Sequence, residues 1–173
     1  ELRFWLDKLV KEPHGPRAIR YARGKESPAL AALGCSGKNF DFIHTTPDAK
    51  VALVSYGAES EEILAAADLL AQQGIAADCC KLVQIYPLPS ELCDSLQKYD
   101  TILFAEEAVL TGGIGQQLSF AMQQKGWHGR MLVHAVDNTH LLHANVPQLR
   151  RDQALDAASL AQAVKQAGKA VQD

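Results

Sequence analysis

With 173 residues, 47% of them hydrophobic, the chain can bury one sizeable core and falls in the size range of one domain. Its 17 basic and 20 acidic residues are nearly balanced and scattered, which excludes the basic clusters of nucleic-acid and polybasic membrane binders. The longest apolar stretch, Ile63 to Ala71, is interrupted by Asp68 and is too short to cross a bilayer.

The chain opens at Glu1 inside an amphipathic pattern, with Leu2, Trp5, Leu6, Leu9 and Val10 on one helical face. An opening in mid-helix is the expected mark of a piece cut from a longer protein. Pro13 to Pro16 breaks that helix, and Arg17 to Tyr21 reads as a short strand ending at Arg23-Gly24. Residues 25–50 are expected to be a linker, richest in small and polar residues up to Asn39, with a strand at Phe40 to His44 and a turn at Pro47-Asp48.

From Val51 the pattern is regular. Strands are expected at Val51 to Tyr56, Ala76 to Leu82, Thr101 to Ala105 and Met131 to Val136. Between them lie helices from about Glu59 to Gln73, Ser90 to Gln97 and Ile114 to Lys125, and Asp156 is placed to cap a last helix from Ala157 to Gln166. Alternation of this kind implies an α/β fold, a three-layer, mostly parallel sheet with helices on both faces. Cys35, Cys79, Cys80 and Cys93 form no C-x-x-C pair, and neighbours Cys79 and Cys80 on one strand must point to opposite faces. They read as buried thiols of a reducing cytosol rather than disulfides or zinc ligands.

Thr111-Gly112-Gly113-Ile114-Gly115 enters a helix after a strand, and Asp137 follows the next strand, as in a dinucleotide site. Leu118, however, stands where a third glycine would be needed, and six residues, Glu106 to Thr111, separate strand from glycines. Glu106 and Glu107 would also repel a pyrophosphate. A packing or turn role for the glycines is therefore preferred, with a nucleotide-binding module kept as the alternative and a structural docking domain as a third reading. Glu59, Glu61 and Glu62 are expected to complement the dipole of their own helix and to satisfy its free N–H groups themselves. His140 and His143 lack a third ligand at metal spacing.

The order of short motifs adds a resemblance. Gly15-Pro16-Arg17-Ala18-Ile19-Arg20-Tyr21-Ala22-Arg23-Gly24 resembles the G-P-x-A-I-R-Y-P-R-G stretch that closes the pyrimidine-binding domain of the 1-deoxy-D-xylulose-5-phosphate synthase family, within the transketolase superfamily. Val54-Ser55-Tyr56-Gly57, Tyr86-Pro87-Leu88-Pro89, Ala105-Glu106-Glu107 before Gly112-Gly113-Ile114-Gly115, and Ala154-Leu155-Asp156-Ala157 (G-L-D-A in the family) are similar to successive landmarks of its C-terminal domain. Ala22 for the usual proline, Pro89 for a common acid and Ala144 for the usual glycine depart from the pattern, and leave transketolase proper or a 2-oxo-acid dehydrogenase β subunit as near neighbours.

The resemblance implies residues 1–24 as the tail of a preceding domain, 25–50 as linker and 51–173 as a C-terminal α/β domain. It implies a dimeric, cytoplasmic parent that joins pyruvate to glyceraldehyde 3-phosphate with loss of carbon dioxide, supplying isoprenoid, thiamine and pyridoxal precursors. Thiamine diphosphate and Mg2+ would be held by domains absent from this chain, since neither the G-D-G metal loop nor the glutamate that activates the pyrimidine has a counterpart. The isolated chain is then expected to be inactive, with no catalytic residue and no metal ligand of its own. Arg23 matches the arginine placed at the substrate phosphate, where a guanidinium can donate two parallel N–H bonds, and Arg20 is expected to support it.

Overall fold

The computed structural model describes residues 1–12, 15–22, 25, 27–137 and 140–169. Among them, five strands make one sheet in the order β1-β3-β2-β4-β5. The strands are β1 (Phe40–His44), β2 (Val51–Tyr56), β3 (Ala77–Leu82), β4 (Thr101–Val109) and β5 (Arg130–Val136). All pairings are parallel except that of β1 with β3, which is antiparallel. The expected α/β class and layering are therefore present.

Period-two alternation sorts the strand side chains into two cores. Leu53, Cys79, Leu103 and Ala105 face α3 (Ser60–Ala71) and α7 (Ala157–Lys169), contributing with Ile63, Leu70 and Leu160 to one cluster. Ala52, Val54, Cys80, Ile102 and Phe104 face the other way, where Leu92 and Leu96 of α4 (Ser90–Leu96) and Leu118 and Met122 of α5 (Ile114–Gln124) complete the second. Cys35, in the loop before β1, is exposed, contrary to the expected burial, whereas Cys93 is buried; Cys79 and Cys80 do lie on opposite faces, both buried and free. Burial pushes the Cys79 thiol up to about 12 and the Cys80 thiol beyond the ordinary thiol range, so both are packing groups rather than nucleophiles.

Three elements differ from the sequence-based expectation. Residues 17–21 form no strand: they are mostly exposed and are not part of the sheet built by the described residues. The stretch expected as a linker carries a short helix, α2 (Pro28–Ala32), capped by the Ser27 side chain, before β1 joins the sheet edge. A further helix, α6 (Val146–Asp152), follows β5, with Asn145 accepting the Gln148 amide proton as its N-cap. The opening helix α1 (Leu2–Lys11) is present as expected, and none of its residues is buried.

Candidate functional site

The parallel strands all end on one side, and two clusters of charged side chains occupy that C-terminal edge. The first is built on Glu106, the sixth residue of β4 and fully buried. A register shift between Glu106 and Val109 bends the strand end toward α5. The carboxylate then closes the helix start: Gly115 donates its amide proton to Oε1 at 2.9 Å and Ile114 to Oε2 at 3.1 Å. Tyr56, at the end of β2, donates its phenol proton to Oε2 at 3.0 Å.

The glycines make this geometry possible. Gly112 adopts φ +81, a left-handed turn that side chains resist. A Cβ on Gly115 would lie 2.6 Å from Val133 and 2.9 Å from Phe104, and a Cβ on Gly113 would meet the Glu106 carboxylate and stand 2.7 Å from the Val109 carbonyl. Turn formation and close helix–sheet packing thus account for all three, as preferred from sequence. The helix N-terminus that a pyrophosphate would need is already filled by an internal carboxylate, so the nucleotide-binding alternative loses its anion site. Sequence alone places Glu106 here as a repelling charge, whereas the structure makes it the cap.

The second cluster surrounds Arg150 of α6. Arg150 donates from Nη1 to Glu62 Oε1 at 2.9 Å and from Nε and Nη2 to Glu107 Oε1 at 3.1 and 2.8 Å. Glu62 uses its other oxygen to accept the Ala157 amide proton at 2.9 Å, so it caps α7 and not its own helix, contrary to the expectation from spacing. Glu59, last residue of the 3-10 turn Gly57–Glu59 that leads into α3, is 0% exposed. Arg150 Nε lies 3.2 Å from its Oε2, but that N–H points at Glu107, and neither Glu59 oxygen has a hydrogen-bond partner among the described residues. Burial, together with Glu107, Glu62 and Asp156, pushes the Glu59 carboxyl up to about 8 against the opposing pull of Arg150.

Of the two arginines matched to the phosphate site, Arg23 lies outside the described residues. Arg20 is exposed and lies near enough to Tyr56 for its charge to act on the phenol. Burial first, and Glu106 next, raise the Tyr56 pKa, while Arg20 opposes them, so Tyr56 stays protonated as the donor to Glu106. The structure therefore brings Arg20 to the same edge as Tyr56 and Glu106. His140 and His143 join no group of three or more metal-binding side chains among the described residues, nor does any other cluster. The donor sets here do not fit a magnesium–diphosphate group.

Comparison with known proteins gives this arrangement a family. Residues 43–160 match the family described as transketolase, C-terminal domain. The chain is 28% identical over 164 residues to 1-deoxy-D-xylulose-5-phosphate synthase of Rhodococcus jostii (strain RHA1), covering 94% of this chain and 25% of the relative. It is 32% identical over 121 residues to the synthase of Parafrankia sp. (strain EAN1pec), covering 66% of this chain and 18% of that one. Among solved structures, a split-gene transketolase described as an inactive beta4 tetramer has TM-score 0.65 at 23% identity, over 74% of this chain and 41% of that chain. Transketolase from Campylobacter jejuni subsp. jejuni NCTC 11168 has TM-score 0.55 at 13% identity, over 78% and 19% of the two chains. These two likenesses concern the fold. The chain spans about a quarter of the length of the first of these relatives, and with the family match over residues 43–160 it belongs to the transketolase C-terminal domain family.

Proposed function

We propose that the chain is the C-terminal part of a thiamine-diphosphate-dependent synthase that condenses pyruvate with glyceraldehyde 3-phosphate to 1-deoxy-D-xylulose 5-phosphate. The supporting observation is the span of the similarity: it covers 94% of the chain, reaching well outside the family match at 43–160, in a relative bearing that name. In this reading residues 1–24 close the pyrimidine-binding domain, 25–50 connect while adding β1 to the edge of the sheet, and 51–173 complete a dimeric cytoplasmic enzyme. Thiamine diphosphate and Mg2+ are held by the parent's other domains, because the glycine turn here is filled by Glu106 and the carboxylates beside it are committed to Arg150. The role of this part is structural, apart from one contribution to the substrate. Exposed Tyr86, Val109 and Leu142, each at or beyond the C-terminal end of a strand, offer apolar surface for the remainder of the enzyme.

That one contribution is an anion contact from Arg23, with Arg20 beside it, to the phosphate of the acceptor aldehyde. No helix among the described residues is long and apolar enough to cross a membrane. Acceptor specificity in the full-length enzyme tests the reading. Arg23→Ala should lower kcat/KM for glyceraldehyde 3-phosphate by roughly 10- to 150-fold, the worth of a charge-assisted hydrogen bond of about 1.5–3 kcal/mol. Unphosphorylated glyceraldehyde should be used as before, and Arg23→Lys should recover only part of the loss. Equal losses for both aldehydes would show that Arg23 holds the fold and not the phosphate.

A further inference from the structure

One fully buried carboxyl is not used by the fold in any ordinary way. Glu59 stands at the N-cap position of α3, yet its side chain caps no amide and has no hydrogen-bond partner among the described residues, while the guanidinium beside it donates to Glu62 and Glu107. Arg150 of α6 reaches to within 3.2 Å of it, and α6 buries none of its own residues. Its fixings to the rest of the molecule include the Arg150 fork, the His134 ring 3.1 Å from the Ala154 carbonyl, the Asp137 amide proton donated to Gln153 Oε1 at 3.0 Å, and the turn through Ala154 to the buried Leu155.

We infer that Glu59 and Arg150 form a pH-responsive latch, in which hydration of Glu59 is coupled to the lifting of α6 from the C-terminal edge of the sheet. The charged groups facing Glu59 are Arg150 on α6, Glu62 on α3, Glu107 on β4 and Asp156 ahead of α7, one cation against three anions. Docked, the carboxyl keeps its proton up to about pH 8; hydrated, it returns to an ordinary value of 4.5. The open form therefore binds fewer protons across that interval. By linkage its population relative to the closed form rises as pH rises, by up to about tenfold per pH unit, and levels off above the closed-state value. The attraction of Arg150 for an ionised Glu59 is already contained in that value. Opening follows the least costly route, and lifting α6 exposes little apolar surface, whereas withdrawing the 3-10 turn and the first turn of α3 would expose Ile63.

Hydrogen exchange read by NMR on the 173-residue chain tests the latch. The amides of Leu149, Gln153 and Leu155 report on α6, since they donate to the carbonyls of Asn145, Leu149 and Arg150. Glu59→Gln keeps the shape of the neutral acid and removes its titration, so the wild-type to variant ratio at each pH cancels the intrinsic base catalysis of exchange. The expected result is a ratio for these amides that climbs toward tenfold per pH unit between about pH 5.5 and 7.5. The wild-type opening constants, corrected for intrinsic exchange, must show the same slope, so the test does not depend on the variant folding. A flat corrected slope, or a rise confined to the first turn of α3, overturns the inference.

Discussion

Glu106 and Gly115 join the sheet to α5: the carboxylate Oε1 accepts the Gly115 amide proton at 2.9 Å while a Cβ at Gly115 would sit 2.6 Å from Val133. A side chain at that position would push the helix off the strand and break the cap with it. The glycine turn and the acid at the strand end are thus one device, although they are separated in sequence and read at first as opposing signals.

Removing the acid should cost far more than removing its third donor. Glu106→Ala strands two backbone N–H groups and a phenol, and is expected to lower unfolding free energy by about 3 kcal/mol, against about 1 kcal/mol for Tyr56→Phe. Urea unfolding of both variants and their double mutant measures this. If the phenol contact is real, the double mutant should be less destabilised than the sum by roughly 0.5–1 kcal/mol.

Ala154 is strained in a way that its neighbours explain. At the end of α6, Ala154 donates to Arg151 and Leu155 to Arg150, the paired bonds of a helix end that needs a left-handed residue, and Ala154 supplies it at φ +53. This is the position where the family signature carries glycine. Ala154→Gly should stabilise the chain by about 1 kcal/mol, seen as a higher urea midpoint with an unchanged slope. A loss of stability would mean that the alanine side chain packs usefully.

How much of this was legible in the sequence follows from the range of the interactions. The strands were legible where a short, mainly apolar run ends at a turn residue, as at Val51–Tyr56 before Gly57. Helix α6 was not, because it buries nothing and so lacks an apolar stripe, although Asn145 followed by Val146-Pro147 carried the cap and the early proline that mark a helix start. The strand expected at 17–21 failed for the complementary reason: its local pattern suits a strand, but the sheet of the described residues does not include it. The Arg150 cluster was out of reach, since Arg150 and Glu62 are 88 residues apart and no local spacing points from one to the other.

Stability should depend on pH through Glu59 in a direction opposite to that of a salt-bridged acid. Its folded value, about 8, lies above the unfolded value of 4.5, so the folded chain holds the extra proton between them and loses stability as pH rises through that window. Glu59→Gln removes this term. The stability difference, variant minus wild type, should grow by up to about 1.4 kcal/mol per pH unit from pH 5 to pH 8 and then level off. Thermal or urea unfolding at four pH values measures it; a constant difference would place Glu59 in water.

Calorimetric titration with thiamine diphosphate and magnesium tests the proposed place of this chain in an enzyme whose cofactor is held by other domains. The titration is run in parallel on the 173-residue chain and on the full-length protein that carries it. The expected result is saturable heat from the full-length protein and none from the chain alone, because its helix N-terminus is closed by Glu106 and no three-donor metal group occurs among its described residues. Micromolar binding by the isolated chain, or no binding by the full-length protein, would contradict the account.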